Sequence, residues 1–191
     1  PHPLGGGSMY NGVVAALARA LAARGVIVLR FNFRGVGRSG GRYDQGRGEQ
    51  ADVAGVLDWL LAQSGVDPER VAVVGYSFGA WVALAHAQTD ARVAAMAAVA
   101  LVAWRYDALA AGSNAGLNLG EFDAGSMRSF TRPKLFVSGE HDAFTPPQAL
   151  RSLVDRLPPP KELHFLPRTD HFFQGREGEV GQLVADYIAG L

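Results

Sequence analysis

Short apolar runs and amphipathic stretches alternate along most of the chain. The run at 26–33 (VIVLRFNF) and the run at 71–75 (VAVVG) are each bounded by glycine, proline or polar residues. Apolar runs of this length predict buried β-strands, whereas apolar residues spaced three and four apart predict helices. Strands are thus predicted at 26–33, 71–75, within 93–103, 134–138 and 162–166, and helices at 12–24, 49–63, 78–88, 146–157 and 177–190.

This alternation favours an α/β fold with a mostly parallel sheet and helices on both faces. The chain has 191 residues, a length that one hydrophobic core can serve. The pattern shows neither an internal repeat nor a linker, although 104–131 is a long irregular stretch. We therefore predict a single domain over 1–191.

Composition and charge narrow the classes of function. Hydrophobic residues make up 48% and charged residues 19%, and the formal net charge is zero. A balanced charge gives no general attraction to nucleic acid, and no apolar run is long enough to cross a membrane. The absence of cysteine excludes disulfides, cysteine zinc sites and a cysteine nucleophile. We expect a cytoplasmic protein with a small-molecule substrate, no metal site and no cofactor.

Residues 35–40 (GVGRSG) match the dinucleotide fingerprint G-x-G-x-x-G after a predicted strand. That function requires a helix to begin at once, so that its N-terminus meets the pyrophosphate. Here a glycine- and arginine-rich loop continues to about residue 48 instead. A turn that clears space at the end of the strand is the favoured interpretation, and a nicotinamide-dependent oxidoreductase is a distant one.

Residues 75–79 (GYSFG) have the pattern G-x-S-x-G between a predicted strand and a predicted helix. Both flanks are needed for a nucleophile elbow, in which the serine hydroxyl projects from a sharp turn. Gly75 and Gly79 are expected to leave room, because a Cβ atom on either would crowd the turn. Ser77 is therefore a candidate nucleophile, and a serine on an ordinary strand–helix turn is the alternative.

A nucleophilic serine needs a base, and the base needs an orienting carboxylate. His171 and Asp142 each follow a predicted strand, at the sheet edge where ligands bind in open α/β sheets. Along the chain the order is Ser77, Asp142, His171, which is the order expected when a serine on a nucleophile elbow is the nucleophile of an α/β hydrolase. Asp170 is the competing carboxylate, but as the neighbour of His171 it is more typical of a loop residue. The other histidines, placed in a helix, in a strand, on the first loop and beside Asp142, are His86, His164, His2 and His141.

Five segments spread over nearly the whole chain carry a family resemblance: 2–4 with 6–7 (HPL and GG), 30–37 (RFNFRGVG), 75–79 (GYSFG), 139–142 (GEHD) and 171–175 (HFFQG). Residue 5 departs from the pattern, because glycine stands where a bulkier residue is expected. Together they resemble the α/β-hydrolase superfamily. Within it, the chain is similar to a compact bacterial group with little or no lid, often labelled dienelactone-hydrolase-like or Xaa-Pro-dipeptidyl-peptidase-like. The resemblance implies the α/β-hydrolase fold.

The resemblance also implies an oxyanion hole and an acyl pocket. One donor would be the backbone N–H of Phe78, directly after the nucleophile. The second would come from the first loop, where Leu4 is the first choice and His2 the alternative, because Pro3 has no N–H. Aromatic side chains that could line the pocket, with core packing as the alternative for each, are Tyr76, Trp104, Phe144 and Phe172.

A further implication concerns the start of the sheet. The fold has a strand between those predicted at 26–33 and 71–75, and that strand would precede residue 1. By this analogy we expect about 25–40 more residues upstream. Two outcomes are then open for the residues present: the backbone of 26–32 lacks partners along one edge, or it pairs directly with 71–75.

The leading function is therefore a serine hydrolase that cleaves a carboxylic ester or thioester through an acyl-enzyme. Ser77 would attack, His171 would move the proton, and Asp142 would orient His171. The alternative is a non-catalytic binding module that keeps the fold.

Overall fold

The computed structural model describes residues 1–102 and 130–191, and the described strands form one parallel sheet. The strand order follows the sequence. The strands are β1 (Ala72–Tyr76), β2 (Ala95–Val99), β3 (Lys134–Gly139) and β4 (Lys161–Leu166). The helices are α1 (Gly12–Ala22), α2 (Arg47–Leu61), α3 (Phe78–Thr89), α4 (Pro147–Asp155) and α5 (Glu177–Ala189).

The register of the sheet brings the carboxyl ends of its strands to one edge. Tyr76 pairs with Val99, Val99 with Val137, and Gly139 with Leu166. All pairings are parallel, so the loops after β1, β3 and β4 emerge on the same side. This edge is where ligands bind in open α/β sheets.

Helices cover both faces of the sheet, as the alternating pattern predicts. On one face α2, α3 and α4 bury apolar side chains such as Leu57, Leu84 and Leu150 against the strands. On the other face α1 and α5 pack together through residues such as Leu17 and Val184. The predicted α/β class is confirmed, and the ends of the helices and strands differ from the predicted ones by up to a few residues.

The prediction of a strand at 26–33 is wrong for this chain. The structure assigns no strand there, and among the described residues no ladder joins this segment to β1. A cavity of about 120 Å³ separates the two, lined by Phe31 and Asn32 on one side and by Val73 and Val74 on the other. Of the two expected outcomes, the structure therefore has the first: among the described residues, the backbone of 26–32 has no ladder partner on the side of β1. Apolar character alone does not make a strand.

Two other expectations concern the stretch 104–131 and the presence of a membrane-spanning segment. The stretch 104–131, with Trp104, lies almost entirely outside the described residues. Of the described helices, none combines the length and the apolar character that crossing a bilayer requires.

Candidate active site

Ser77 stands on a strained turn between β1 and α3. Its φ and ψ are 57° and −119°, in a region that non-glycine residues rarely adopt. Its N–H donates to Val99 O at 2.9 Å, so the sheet ladder runs one residue past β1. Its carbonyl accepts the first hydrogen bonds of α3, but its side chain makes no cap. The hydroxyl is thus left to turn away from the helix.

The hydroxyl of Ser77 reaches His171, and His171 reaches Asp142. Ser77 Oγ lies 2.9 Å from His171 Nε2, and His171 Nδ1 lies 2.9 Å from Asp142 Oδ2. All three side chains are buried. An ionised carboxylate only accepts hydrogen bonds, so Nδ1 carries the proton that faces Asp142, and Nε2 of the neutral ring accepts from Ser77. The structure brings together the three residues that the sequence selects.

Asp142 is held by more than His171. Its Oδ1 accepts the backbone N–H groups of Phe144 at 2.8 Å and Thr145 at 3.2 Å. The hydroxyl of Ser138 donates to Oδ2 at 3.1 Å. Burial by itself would raise the pKa of the Asp142 carboxyl, but the hydrogen bond from His171 and the two amides outweigh it and lower that pKa. Asp142 is therefore held as a carboxylate.

Sequence reasoning missed Ser138, Phe144 N–H and Thr145 N–H as ligands of that carboxylate. A signal for the two amides is present, because an aspartate after a strand commonly accepts the backbone N–H groups two and three residues later. Ser138 gives no such signal. It is recognisable only once the direction of its side chain within β3 is known.

The structure does not support the prediction that Tyr76 lines an acyl pocket. Its side chain is 5% exposed and packs in the core against Phe173, with ring centroids 6.4 Å apart. Its hydroxyl donates to the backbone carbonyl of His171 at 3.2 Å. Side chains alternate across a strand, so the residue before Ser77 faces away from the hydroxyl of Ser77. Tyr76 supports the loop that carries His171.

The competing residues do not join the site. Asp170 is exposed and its Oδ1 accepts the N–H of Phe172 at 2.9 Å, which is the behaviour of a turn residue. His86 pairs with Asp90 at the end of α3, and His164 pairs with Glu162 on β4. Among the residues that the structure describes, no group of His, Asp and Glu has the arrangement of a metal site.

The two predicted oxyanion donors have different environments. Phe78 is the first residue of α3, where a backbone N–H has no acceptor within the helix. Leu4 lies in a 3₁₀ turn over Pro3–Gly5, and its N–H donates to His2 Nδ1 at 3.2 Å. Since that amide already has an acceptor, Leu4 as a free oxyanion donor is a prediction that this structure does not support. The alternative, the backbone N–H of His2, stays a prediction.

Apolar side chains surround the outer side of His171. The Phe144 ring centroid lies 4.3 Å from that of His171, and the Phe172 centroid lies 5.5 Å from it. Phe172 exposes 59% of its surface. A large exposed apolar side chain beside a polar site is typical of a surface that binds an apolar ligand.

Known proteins match this chain in sequence and in fold. A family model described as X-Pro dipeptidyl-peptidase (S15 family) matches residues 7–135. An α/β serine hydrolase homologue from Coxiella burnetii is 35% identical, with a TM-score of 0.80 over 97% of this chain and 80% of that one. XC6422 from Xanthomonas campestris, a serine hydrolase without a lid, is 31% identical, with a TM-score of 0.79 over 100% and 78%.

Other matches are more distant or less informative. An uncharacterized protein from Rickettsia prowazekii is 29% identical over 98% of this chain and 75% of its own length. The esterase Pf2001 from Pyrococcus furiosus is 22% identical, with a TM-score of 0.76, a likeness that shows the fold alone.

Proposed function

We propose, since this chain belongs to the X-Pro dipeptidyl-peptidase (S15) family and has the fold of the lidless α/β serine hydrolases, that it hydrolyses carboxylic esters or thioesters through an acyl-enzyme on Ser77. The observation that carries the proposal is the continuous hydrogen-bonded path from Ser77 Oγ through His171 to Asp142. The path lies in a buried site at the carboxyl edge of the sheet.

In this mechanism Ser77 Oγ attacks the carbonyl carbon while His171 Nε2 takes the hydroxyl proton. The carbonyl oxygen becomes an oxyanion, which the N–H of Phe78 and the N-terminus of α3 stabilise. His171 then gives its proton to the leaving alcohol or thiol, and the acyl-enzyme remains. Water, deprotonated by His171, attacks that acyl group, and the proton returns to Ser77. Asp142 stabilises the imidazolium form of His171 in both halves.

The surroundings of the serine favour an ester with an apolar acyl or alcohol part. Phe144 and Phe172 stand beside His171, and no charged side chain among the described residues hydrogen-bonds to Ser77 or His171 except Asp142. Burial of an alkyl chain contributes about 0.8 kcal/mol per CH₂ group. We therefore expect activity to increase with the length of the alkyl chain until the apolar surface is filled.

A second candidate function is the release of X-Pro dipeptides by cleavage of the peptide bond that follows the proline. The match of the S15 family model to residues 7–135 favours it. The same serine, histidine and aspartate would serve, since acyl transfer from an amide and from an ester share one mechanism. The two functions differ in the leaving group and in the need to bind a substrate amine.

The test compares the two substrate classes on one protein. The wild-type chain is assayed with p-nitrophenyl esters of increasing acyl length and with X-Pro p-nitroanilides. The variant Ser77→Ala is assayed beside Ser152→Ala, which alters an exposed serine on α4. We expect ester hydrolysis that falls by about 10⁴–10⁶ in Ser77→Ala and is unchanged in Ser152→Ala.

Labelling by a fluorophosphonate gives a second measurement on the same variants. We expect covalent labelling of the wild type and of Ser152→Ala, and none of Ser77→Ala. Labelling retained in Ser77→Ala contradicts the assignment of the nucleophile. Hydrolysis of the anilides alone selects the peptidase function. A folded protein that neither hydrolyses nor is labelled is the binding module.

A further inference from the structure

The loop at 42–46 lies beside the candidate site and takes no part in the mechanism above. It is anchored by Glu49, whose side chain is fully buried. Glu49 Oε1 accepts the N–H of Asp44 at 2.9 Å, and Oε2 accepts the N–H of Gly46 at 2.7 Å. Burying a carboxylate is costly unless hydrogen bonds replace its hydration, and here both oxygens have a backbone donor. Glu49 thus fixes the path of the loop.

Packing restricts the same loop from the other side. Gly46 has a φ of +86°, and a Cβ atom there would lie 1.9 Å from Cζ3 of Trp81 on α3. At the start of the glycine-rich segment, Arg34 Nη2 pairs with Asp52 Oδ1 at 2.8 Å on α2. The loop is therefore fixed to α2 and packed against α3, the helix that begins directly after Ser77.

The residue that this anchoring positions is Tyr43. Its hydroxyl lies 3.1 Å from Nε2 of His2, and its ring centroid lies 5.0 Å from that of His2 and 5.8 Å from that of Phe78. His2 also packs edge-on against Phe78, with centroids 4.9 Å apart. Tyr43, His2 and Phe78 thus form one aromatic cluster, and it includes the residue that offers the first oxyanion N–H.

The hydrogen bonds of His2 define its protonation. Nδ1 accepts the N–H of Leu4, so Nδ1 carries no proton. The proton of the neutral ring is then on Nε2, from where it is donated to the hydroxyl oxygen of Tyr43. The ring of His2 therefore joins Tyr43 to the backbone of the first loop, residues 2–7.

We propose that Tyr43, held in place by Glu49, is a positioning residue that sets the first loop beside Phe78 by acting through His2. The inference rests on the proposed hydrolase function, in which the oxyanion is stabilised by the N–H of Phe78, the residue against which His2 packs. A small displacement of groups around a reacting centre can reduce a rate by up to about 10²-fold, because stabilisation of the transition state depends on exact distances. Tyr43 touches neither Ser77 nor His171 in any hydrogen bond that the structure gives.

The first test removes one hydroxyl group. Tyr43→Phe keeps the ring in the cluster and removes the hydroxyl that contacts His2, so the fold should be retained. We expect kcat for the best ester to fall about 10-fold with KM changed less than about twofold, since the bound substrate is not contacted. Tyr10→Phe is the matched control, because Tyr10 is an exposed tyrosine. Its kcat should equal that of the wild type.

The second test asks whether Tyr43 acts through His2. In His2→Asn the amide oxygen can still cap the N–H of Leu4, as asparagine does at N-cap positions, but the side chain no longer reaches Tyr43. His2→Ala loses both contacts. We expect a larger fall in kcat for His2→Ala than for His2→Asn. In the double variant Tyr43→Phe/His2→Asn, kcat should equal that of His2→Asn alone.

Glu49→Gln supplies a third variant. The side-chain amide of the glutamine would place one of its N–H groups against a backbone N–H of the loop, where Glu49 has an accepting oxygen. We expect it to lower kcat as Tyr43→Phe does and also to lower the melting temperature. If Glu49→Gln does not fold, Tyr43→Phe and the double variant still decide the question.

The outcomes separate this inference from the proposed function. An active wild type whose kcat is unchanged in Tyr43→Phe overturns the positioning role and leaves the hydrolase function standing. Additive losses in the double variant show that Tyr43 acts independently of His2, and a change confined to KM shows that it contacts substrate; either result overturns the inference. A wild type without Ser77-dependent hydrolysis overturns the proposed function first, and the positioning role with it.

Discussion

The backbones of Gly75 and Gly79, the two glycines that flank Ser77, pack directly against each other. A Cβ atom on Gly75 would lie 2.2 Å from the carbonyl oxygen of Gly79. A Cβ atom on Gly79 would meet nothing closer than Cε2 of Phe33, at 3.8 Å. The expectation that both glycines leave room is therefore correct for Gly75 and wrong for Gly79. The sharp turn requires one glycine, and the second lies where a helix residue has ordinary space.

Substitution of these two glycines should give opposite results. Gly75→Ala forces the start of α3 away from β1, and we expect it to lower the free energy of unfolding by about 3 kcal/mol or more and to abolish activity. Gly79→Ala removes a flexible residue from the first turn of α3 and should change that free energy by less than about 1 kcal/mol, towards greater stability. Urea denaturation measures both. Equal destabilisation by the two changes would contradict the model of the turn.

The carboxylates of Asp142 and Asp170 accept hydrogen bonds from different groups. Asp142→Asn replaces the acceptor for His171 Nδ1 by a group that favours the wrong tautomer, and we expect kcat/KM to fall about 10⁴-fold. Asp170→Asn keeps an oxygen that accepts the N–H of Phe172, and we expect a change of less than about threefold. Steady-state kinetics of both variants on one ester decides between them. The reverse order of effects would identify Asp170 as the orienting carboxylate.

Ser138 should contribute less than the other donors to Asp142. In Ser138→Ala the carboxylate keeps His171 and two backbone amides, so its position and charge are retained. We expect kcat/KM to fall by about tenfold or less and the free energy of unfolding to fall by about 1 kcal/mol. Ser152→Ala is the control. A loss as large as that of Asp142→Asn would show that the hydroxyl itself has a direct role in the reaction.

Lys134 should make stability depend on pH. The side chain is buried at the start of β3, where Nζ donates to the carbonyls of Pro158 and Pro160. Burial, with Lys161 and Arg132 nearby, lowers the pKa of Lys134 from 10.5 to about 8. Between these values the unfolded chain binds more protons than the folded one, so stability rises with pH through this window.

For the wild type this predicts a rise of about 2 kcal/mol in the unfolding free energy between about pH 7 and pH 9.5. The variant Lys134→Met has no titratable group at this position, so its unfolding free energy should lack this rise of about 2 kcal/mol. Urea denaturation at several pH values measures both slopes. Parallel slopes for the two proteins would contradict the lowered pKa.

The sequence predicts the site better than it predicts the sheet. Ser77, Asp142 and His171 could be selected because each follows a predicted strand, and parallel strands bring such positions to one edge whatever the exact register. The run at 26–33 has the same apolar character, yet it is not a strand here. A strand is defined by its partner, and a partner is not a local property of the sequence.

Two expectations around the site that the structure does not support have a common cause. Tyr76 is a candidate because it precedes Ser77, and Leu4 because the first loop resembles that of the family, but both roles depend on where the side chain or the N–H points. Tyr76 faces the core, and the Leu4 amide is capped by a side chain two residues earlier. Glu49 and Tyr43 give no signal in a single sequence, because their importance comes from contacts between segments far apart along the chain.

The open side of β1 has a consequence for amide hydrogen exchange. The N–H of Ser77 points to β2, and N–H groups alternate along a strand, so that of Gly75 points the same way and that of Val74 points towards the cavity beside 26–33. Hydrogen-bonded amides in a sheet exchange with solvent deuterons slowly, and amides without an acceptor exchange quickly. Val74 should therefore lose its proton far sooner than Gly75. Any segment that pairs with β1 on that side would slow the exchange of Val74 and leave that of Gly75 almost unchanged.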